Sequence, residues 1–568
     1  MKCEGIPASS GIGIGTAVLV AEPDLGYGDV VFSGVAAEKA RLSGAVAAFT
    51  AETTAMAEEL RAQVGDKQAE ILSGQVMMVS DPYMTSQMNA AIENGVCAEA
   101  AVDSVCGMYV ELFSSMEDEL MRQRALDVED MRRRLLSILL GRPRAELKLV
   151  PPGSVLVSRD FTPSMTVGLR RENVAAIVTE SGGITSHSAI LARTMALPAV
   201  LSVPNITDIL SGGETLVVDG STGLVLVNPD EETLRDYRAL QGEELARQAD
   251  LLRFRTRPTH TADGETVSLC CNITSPRDVP NVLEHTGEGV GLFRTEFLFM
   301  NRSTPPSEEE QFRIYQDAAR QLNGREIIIR TLDIGGDKEI SCLDMEQEEN
   351  PFLGFRAIRY CLSRPDLFKT QLSAILRASA YGSIRILLPF VSCLDEVRSA
   401  RVILEETKCR LADEGVAFNR DIPLGVMVET PAAVFLADKL AREVDFFSIG
   451  TNDLTQYTLA ADRGNSKVSY LCSYFQPALL RAIHMAASQA KRAGILVGMC
   501  GEAAGDPLMT PLLLAFGLDE FSVSPAAVLP IRQAISRWTR EEARALADQV
   551  MGLSTADEVR ACLKANIR

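Results

Sequence analysis

The run Ser181-Gly-Gly-Ile-Thr-Ser-His187-Ser-Ala-Ile-Leu-Ala-Arg193 sets one imidazole where a glycine turn becomes a helix. Upstream, residues 173–180 carry Val174, Ala175, Ala176, Ile177 and Val178 and read as a strand. A helix N-terminus presents unpaired N–H groups and partial positive charge, which attract phosphate. A histidine there is suited to taking a phosphoryl group and holding it as a covalent intermediate. A lone imidazole is more often a buried histidine bonded to neighbouring backbone, so the weight falls on the residues that accompany it.

Those companions lie beyond residue 257, where eight short apolar runs (267–272, 289–294, 326–331, 384–389, 424–429, 445–450, 495–500 and 520–524) are separated by helix-length gaps. That rhythm predicts a (β/α)8 barrel, whose chemistry gathers at the C-terminal ends of its strands. The residues at or just after those ends include Asn272, Arg294, Arg330, Asp333, Glu429, Asn452, Asp453 and Cys500. A barrel kept only for structure does not need so many polar groups at one rim. Arg294, Arg330 and Arg463 supply guanidinium forks that match phosphate and carboxylate oxygens. Lys338 adds a point charge after the turn Asp333-Ile-Gly-Gly-Asp-Lys338, which lacks the spacing of a Walker loop. Glu429 and Asp453, at the ends of the fifth and sixth strands, suit either a Mg²⁺ site or a salt-bridged pair. Cys500, in Gly498-Met-Cys-Gly-Glu502, is either an inert buried thiol or, with a tuned pKa, a proton donor to a substrate carbon.

The elements that must position these groups fall into blocks. The chain has 568 residues, enough for several domains, with 46% apolar and 23% charged residues as in ordinary globular protein. A net charge of −20 argues against nucleic acid and anionic membrane as partners and suits a basic protein. No run approaches the ~20 apolar residues of a spanning helix, and the first residues lack a signal core. Twelve cysteines without a Cys-x-x-Cys pair point to reduced thiols in a cytoplasm, and four scattered histidines offer no zinc site. Residues 1–22 and 148–228 read as one α/β domain, into which 33–145 is inserted as a helical block with helices over 35–61, 68–79, 98–112 and 115–139. Residues 229–256 are a charged helical linker, and 257–568 form the barrel.

Together these segments resemble the phosphoenolpyruvate-utilising family, over nearly the whole chain. The likeness rests on Gly182-Gly-Ile-Thr-Ser-His187 with Ala192-Arg193 and Leu197-Pro198-Ala199, and on Gly289-Val-Gly-Leu-Phe-Arg-Thr-Glu-Phe-Leu-Phe-Met300. It continues through Arg330-Thr-Leu-Asp-Ile-Gly-Gly-Asp-Lys338, Glu349-Asn-Pro-Phe-Leu-Gly-Phe-Arg356 and Val426-Met-Val-Glu-Thr-Pro431. Phe446-Phe-Ser-Ile-Gly-Thr-Asn-Asp-Leu-Thr-Gln456 and Gly498-Met-Cys-Gly-Glu502 complete it. Relatives that also use ATP need a large nucleotide-binding domain, for which this length leaves no room.

The resemblance implies a swivelling phosphohistidine α/β domain with an inserted helical domain, followed by a TIM-type barrel that pairs two chains as a homodimer. It implies that His187 takes the phosphoryl group of phosphoenolpyruvate and passes it to a histidine of a small HPr-type carrier protein docked on the helical insert near Arg124 and Asp127. Arg294, Arg330, Lys338, Arg356, Asn452 and Arg463 would hold the substrate and Glu429 and Asp453 would bind Mg²⁺. Cys500 would protonate the enolate. Thr166 would bond the active histidine, and Glu502 would support the site. Two places depart from the family pattern: Gln75 stands where a histidine is common on the docking helix, and 469–477 loses part of a tyrosine-proline pattern. A regulatory protein that senses phosphoenolpyruvate through contacts is the competing reading at this point.

Overall fold

In a computed structural model the chain forms two compact units, Met1–Arg247 and Gln248–Arg568. The structure describes residues 1–567 except 21–24, 65, 117–118, 143–146, 148–149, 184–185, 301, 336–341, 344 and 347. Lys338, and Ile184 and Thr185 of the turn before His187, therefore lie outside the described residues.

The first unit is built on one sheet. Its strands are β1 (Lys2–Glu4), β2 (Ile6–Ser9), β3 (Ile12–Leu19), β4 (Ser154–Ser158), β5 (Val174–Thr179), β6 (Ala199–Leu201), β7 (Thr215–Asp219) and β8 (Leu224–Val227). They are ordered β1-β8-β7-β3-β4-β5-β6-β2, with a parallel centre from β3 to β6 and antiparallel strands on both sides. All five residues of β4 are buried, as expected of a strand covered on both faces. Its alternation sends Leu156 into one apolar cluster with Ile177 and Leu191, and Val155 and Val157 into another with Val178 and Leu216.

Between β3 and β4 lie α1 (Val35–Val64), α2 (Asp66–Val79), α3 (Pro82–Glu93), α4 (Ala98–Ser114) and α5 (Glu119–Leu140), packed around Phe49, Met88, Ile92, Val102 and Leu135. The sequence predicts four helices here and the structure has a fifth, α3, because Ser80-Asp-Pro82 is more than a stop signal. The same residues also start a helix: Asp81 Oδ1 accepts from the Tyr83 N–H at 2.7 Å, and Pro82 occupies the first turn, where a missing N–H costs nothing. After β4 come α6 (Pro163–Thr166), α7 (His187–Thr194), α8 (Ile206–Ile209) and α9 (Glu231–Leu252), the last within the charged linker and with Leu251 as its buried residue.

The second unit is a closed parallel barrel of β9 (Ser268–Ile273), β10 (Val290–Arg294), β11 (Ile327–Arg330), β12 (Ile384–Leu388), β13 (Leu424–Val428), β14 (Phe446–Ile449), β15 (Leu496–Met499) and β16 (Glu520–Val523), with β16 closing on β9. Each falls within one of the eight apolar runs or extends it by a single residue. Leu292, Ile328, Leu387, Met427 and Phe446 pack with Cys500 in one cluster, while Phe293, Ile327, Ile329 and Phe447 join the outer core with Phe368 and Leu480 from the helices. Reciprocal caps such as Ser307 with Glu310 and Thr539 with Glu542 fix where helices begin.

Candidate active site

Each barrel strand hands over to a loop or helix at the same mouth, so the residues at its end are aimed at one place. Arg294 ends β10, Arg330 ends β11, Glu429 follows β13, and Asn452 and Asp453 open the helix Thr451–Leu459 after β14. Cys500 follows β15. All of them line one cavity of about 280 Å³, together with Arg356, Arg463, Glu502, Glu296 and Asp333.

The cavity wall carries an unbroken alternation of charge. Glu296 Oε1 pairs with Arg330 Nη2 at 2.8 Å, and Arg330 Nη1 with Asp333 Oδ2 at 2.9 Å. Asp333 Oδ1 pairs with Arg356 Nη2 at 2.9 Å, and the same nitrogen reaches Asp453 Oδ2 at 3.2 Å. Arg463 Nη1 meets Asp453 Oδ1 at 3.2 Å. Burial alone would lower the proton affinity of Arg330 and Arg356, but Glu296 and Asp333 beside the first, and Asp333 and Asp453 beside the second, hold both above their ordinary value. The guanidinium groups are therefore permanently charged and held in place before any anion arrives.

Glu429 is almost wholly buried, and one carboxylate oxygen accepts from the Phe390 N–H at 2.6 Å. Burial, then the charges of Asp453 and Asp333, push its proton affinity well above the carboxylate range against Arg330 and Arg356. Gly450 leaves room for it, since a β-carbon there would sit 2.8 Å from Glu429 Oε2. Gly335, at φ +126°, lets the chain pass over Arg356, whose β-carbon would otherwise be met at 2.3 Å. Asn452 and Glu502 bind reciprocally: Asn452 Nδ2 donates to Glu502 Oε1 and the Glu502 N–H donates to Asn452 Oδ1, each at 3.0 Å. Burial pushes the Cys500 thiol up to about 11, opposed by a hydrogen bond from Ser448 and by the charge of Arg330.

Of the barrel residues singled out from sequence, only Lys338 is not placed. What sequence reasoning missed are the groups that organise the arginines. Glu296 stands two residues after Arg294 and Asp333 lies just past a strand end, but residue type and spacing alone give neither a role. Tyr457, whose hydroxyl accepts from Arg356 Nη1 at 3.1 Å, and Phe390, whose ring lies 4.4 Å from the Arg356 guanidinium carbon, carry no sequence signal.

In the first unit, His187 is the first residue of α7, half-buried, behind the cap Ser186, whose hydroxyl accepts from the Ala189 N–H at 3.3 Å. The start of α7 is tied down next door: Ser188 Oγ donates to Asp160 Oδ1 at 2.7 Å, and the Phe161 N–H lies 2.8 Å from that oxygen. Burial raises the Asp160 carboxyl, against the Ser188 and Phe161 hydrogen bonds and the charge of His187. Thr166 ends α6 and is buried. On the insert, Gln75 does not face solvent. Its Nε2 donates to Asp130 Oδ2 at 3.0 Å and to the Asp127 carbonyl at 3.2 Å, while Asp130 Oδ1 accepts from Ser164 of α6 at 2.8 Å. Gln75 thus joins α2 to α5, and Asp130 joins the insert to the α/β domain.

Among the described residues no helix is long and apolar enough to cross a membrane. Residues 248–540 match the model of the PEP-utilising enzyme, PEP-binding domain; residues 4–124 match its N-terminal domain and 150–223 its mobile domain. The chain is 44% identical over 559 residues to the phosphoenolpyruvate-protein phosphotransferase of Priestia megaterium, covering 98% of each chain. It is 42% identical over 564 residues to the protein of that name from Bacillus subtilis, covering 99% of each. A run of buried arginines and carboxylates at a barrel mouth, a histidine opening a helix in a separate unit, and family matches across both units lead to one assignment: the chain belongs to the PEP-utilising enzymes, in the phosphoenolpyruvate-protein phosphotransferase (Enzyme I) branch.

Proposed function

We propose that this chain moves the phosphoryl group of phosphoenolpyruvate onto His187, releases pyruvate, and then phosphorylates a histidine of a small HPr-type carrier protein. The observation that carries the reading is the convergence of Arg294, Arg330, Arg356 and Arg463 with Glu429, Asp453 and Cys500 on one cavity at the barrel mouth. Arginine forks of this kind bind the carboxylate and phosphate of such a substrate and stabilise charge as it moves to the enol oxygen. A ring nitrogen of His187 attacks phosphorus, the bond from phosphorus to the enol oxygen breaks, and the enolate remains. Cys500 then delivers its thiol proton to the substrate's methylene carbon, giving pyruvate and a thiolate that regains a proton from solvent. Asn452 and Glu502 hold each other at the rim, and Lys338 joins the phosphate-binding set by analogy with the family.

Glu429 and Asp453 fit a Mg²⁺ ion. They are hard oxygen donors that follow two adjacent strands, and Asp453 and Asp333 crowd negative charge around the buried Glu429, which a cation would relieve. Among the described residues no group of three or more His, Cys, Asp or Glu side chains is placed to hold a metal ion, so water and substrate oxygens would have to complete the shell. The bound ion would neutralise the phosphoryl-bearing anion.

In-line transfer needs reacting atoms within ~3–3.5 Å. The same imidazole must meet this geometry twice, at the barrel and at the carrier, so the chain swings through the linker that contains α9. The carrier docks on the helical insert, the barrels pair two chains, and the protein works in the cytoplasm within a sugar-uptake system. The deciding experiment incubates the chain with ³²P-labelled phosphoenolpyruvate and Mg²⁺. An acid-labile label that disappears in His187→Ala supports the reading, and label surviving that change defeats it.

A further inference from the structure

Cys500 has a demanding task in this reaction. It must keep its proton until an enolate has formed beside it, and then release the proton in one direction. The thiol is 4% exposed and lies in the apolar layer with Leu292 and Met427, so burial disfavours the thiolate that proton delivery leaves behind. Its backbone is held on two sides: the Cys500 N–H donates to the Ile449 carbonyl at 3.1 Å, and its carbonyl accepts from Asn272 Nδ2 at 3.2 Å. Asn272 is fixed in turn by Ser522, whose hydroxyl donates to Asn272 Oδ1 at 2.7 Å.

The sulfur has its own partner. Ser448 is 2% exposed, sits on β14 in register with Gly498 of β15, and its hydroxyl donates to Cys500 Sγ at 3.3 Å. Sγ faces the Ile449 carbonyl at 3.9 Å, which leaves the thiol proton only a long, weak acceptor. A neutral sulfur is a poor acceptor and a thiolate a strong one, so the serine hydrogen bond tightens as the proton leaves.

We propose that Ser448 is the positioning residue for Cys500, holding the sulfur toward the cavity and stabilising the thiolate left when the proton passes to the enolate. The step balances: the S–H bond breaks, a C–H bond forms at the methylene carbon, the sulfur keeps the electron pair, and solvent later restores the proton. This inference rests on the role given to Cys500 above.

The test uses the full chain in two assays. The first follows iodoacetamide modification of the Cys500 peptide by mass spectrometry as pH is raised. The second follows deuterium incorporation from D₂O into the methyl group of pyruvate by the phosphorylated enzyme with Mg²⁺. In Ser448→Ala the alkylation inflection is expected to move up by about half to one pH unit, and deuterium incorporation to fall about tenfold. Ser448→Thr, which keeps the hydroxyl, is expected to stay within about twofold of the parent in both assays. Should Ser448→Ala not fold, Ser448→Gly, which also removes the hydroxyl and adds no thiol, is read by the same criteria. An unmoved inflection and unchanged incorporation in the alanine variant overturn the proposal. Incorporation that persists in Cys500→Ala defeats the proton-donor role instead, and leaves the alkylation assay to judge the Ser448 contact alone.

Discussion

The backbone N–H of Phe390 holds Glu429 Oε1 at 2.6 Å, while the ring of the same residue lies 4.4 Å from the guanidinium carbon of Arg356. Phe390 adopts φ +57°, an uncommon conformation for a bulky residue, and it is buried at 2% exposure. One residue thus sets a carboxylate through its backbone and a cavity-lining cation through its ring. Phe390→Leu should keep the fold and lose the ring contact, worth about 1–2 kcal/mol, while the leucine still packs on the guanidinium. The KM for phosphoenolpyruvate, read from pyruvate release, should rise about fivefold with a smaller change in kcat.

Arg294 and Arg330 should separate function from stability. Arg294 is partly exposed at the end of β10, so Arg294→Ala should lower kcat/KM by about 100-fold or more while barely moving the unfolding midpoint. Arg330 is 7% exposed between Glu296 and Asp333, and its removal takes a buried cation from both carboxylates, of which Asp333 keeps Arg356, at a cost of about 3–5 kcal/mol. Urea unfolding followed by Trp538, the chain's single tryptophan and part of the barrel core, measures both.

Gly450→Ala should act on the proposed Mg²⁺ site rather than on the fold. The added methyl would sit 2.8 Å from Glu429 Oε2 and 3.1 Å from Glu429 Cβ, forcing the carboxylate to shift while the Phe390 N–H holds its other oxygen. The Mg²⁺ concentration for half-maximal phosphorylation of His187 should rise about tenfold, as when the positioning of a metal ligand is disturbed.

Asp127 should make the first unit pH-sensitive. Burial, then the charge of Asp130, raise its carboxyl to about 6 from an ordinary 3.8, against Arg124. Below about pH 4 both folded and unfolded states are protonated. Between pH 4 and 6 the unfolded chain releases this proton first, so stability falls with rising pH by up to about 3 kcal/mol and then levels off. Asp127→Asn should therefore melt higher than the parent at pH 7.5, with the gap closing toward pH 4, in circular dichroism scans of the full chain.

Much of this was legible in the residues because the signals are local. Runs of Val, Ile and Leu bounded by polar turns predicted the eight barrel strands, and a barrel strand's end predicts the mouth. The second start signal at Asp81-Pro82 was also local, but a proline read as a stop concealed it. The burial of Gln75 was not legible, because the partner that takes its amide, Asp130, lies on another helix 55 residues away.

The sequence by itself determined the fold class, the family and the side chains that reach the barrel mouth, since periodicity and motif order are properties of neighbouring residues. Only the tertiary structure decided how those side chains are wired: that Asp333 bridges Arg330 and Arg356, that Phe390 reaches both Glu429 and Arg356, and that Ser448 meets the sulfur of Cys500. Arg356 and Asp453 are 97 residues apart in the chain, and Ser448 and Cys500 are 52. Such pairs exist because closing a twisted sheet into a barrel brings distant strand ends to one rim, and which lone pair meets which proton there depends on distances of a few tenths of an ångström.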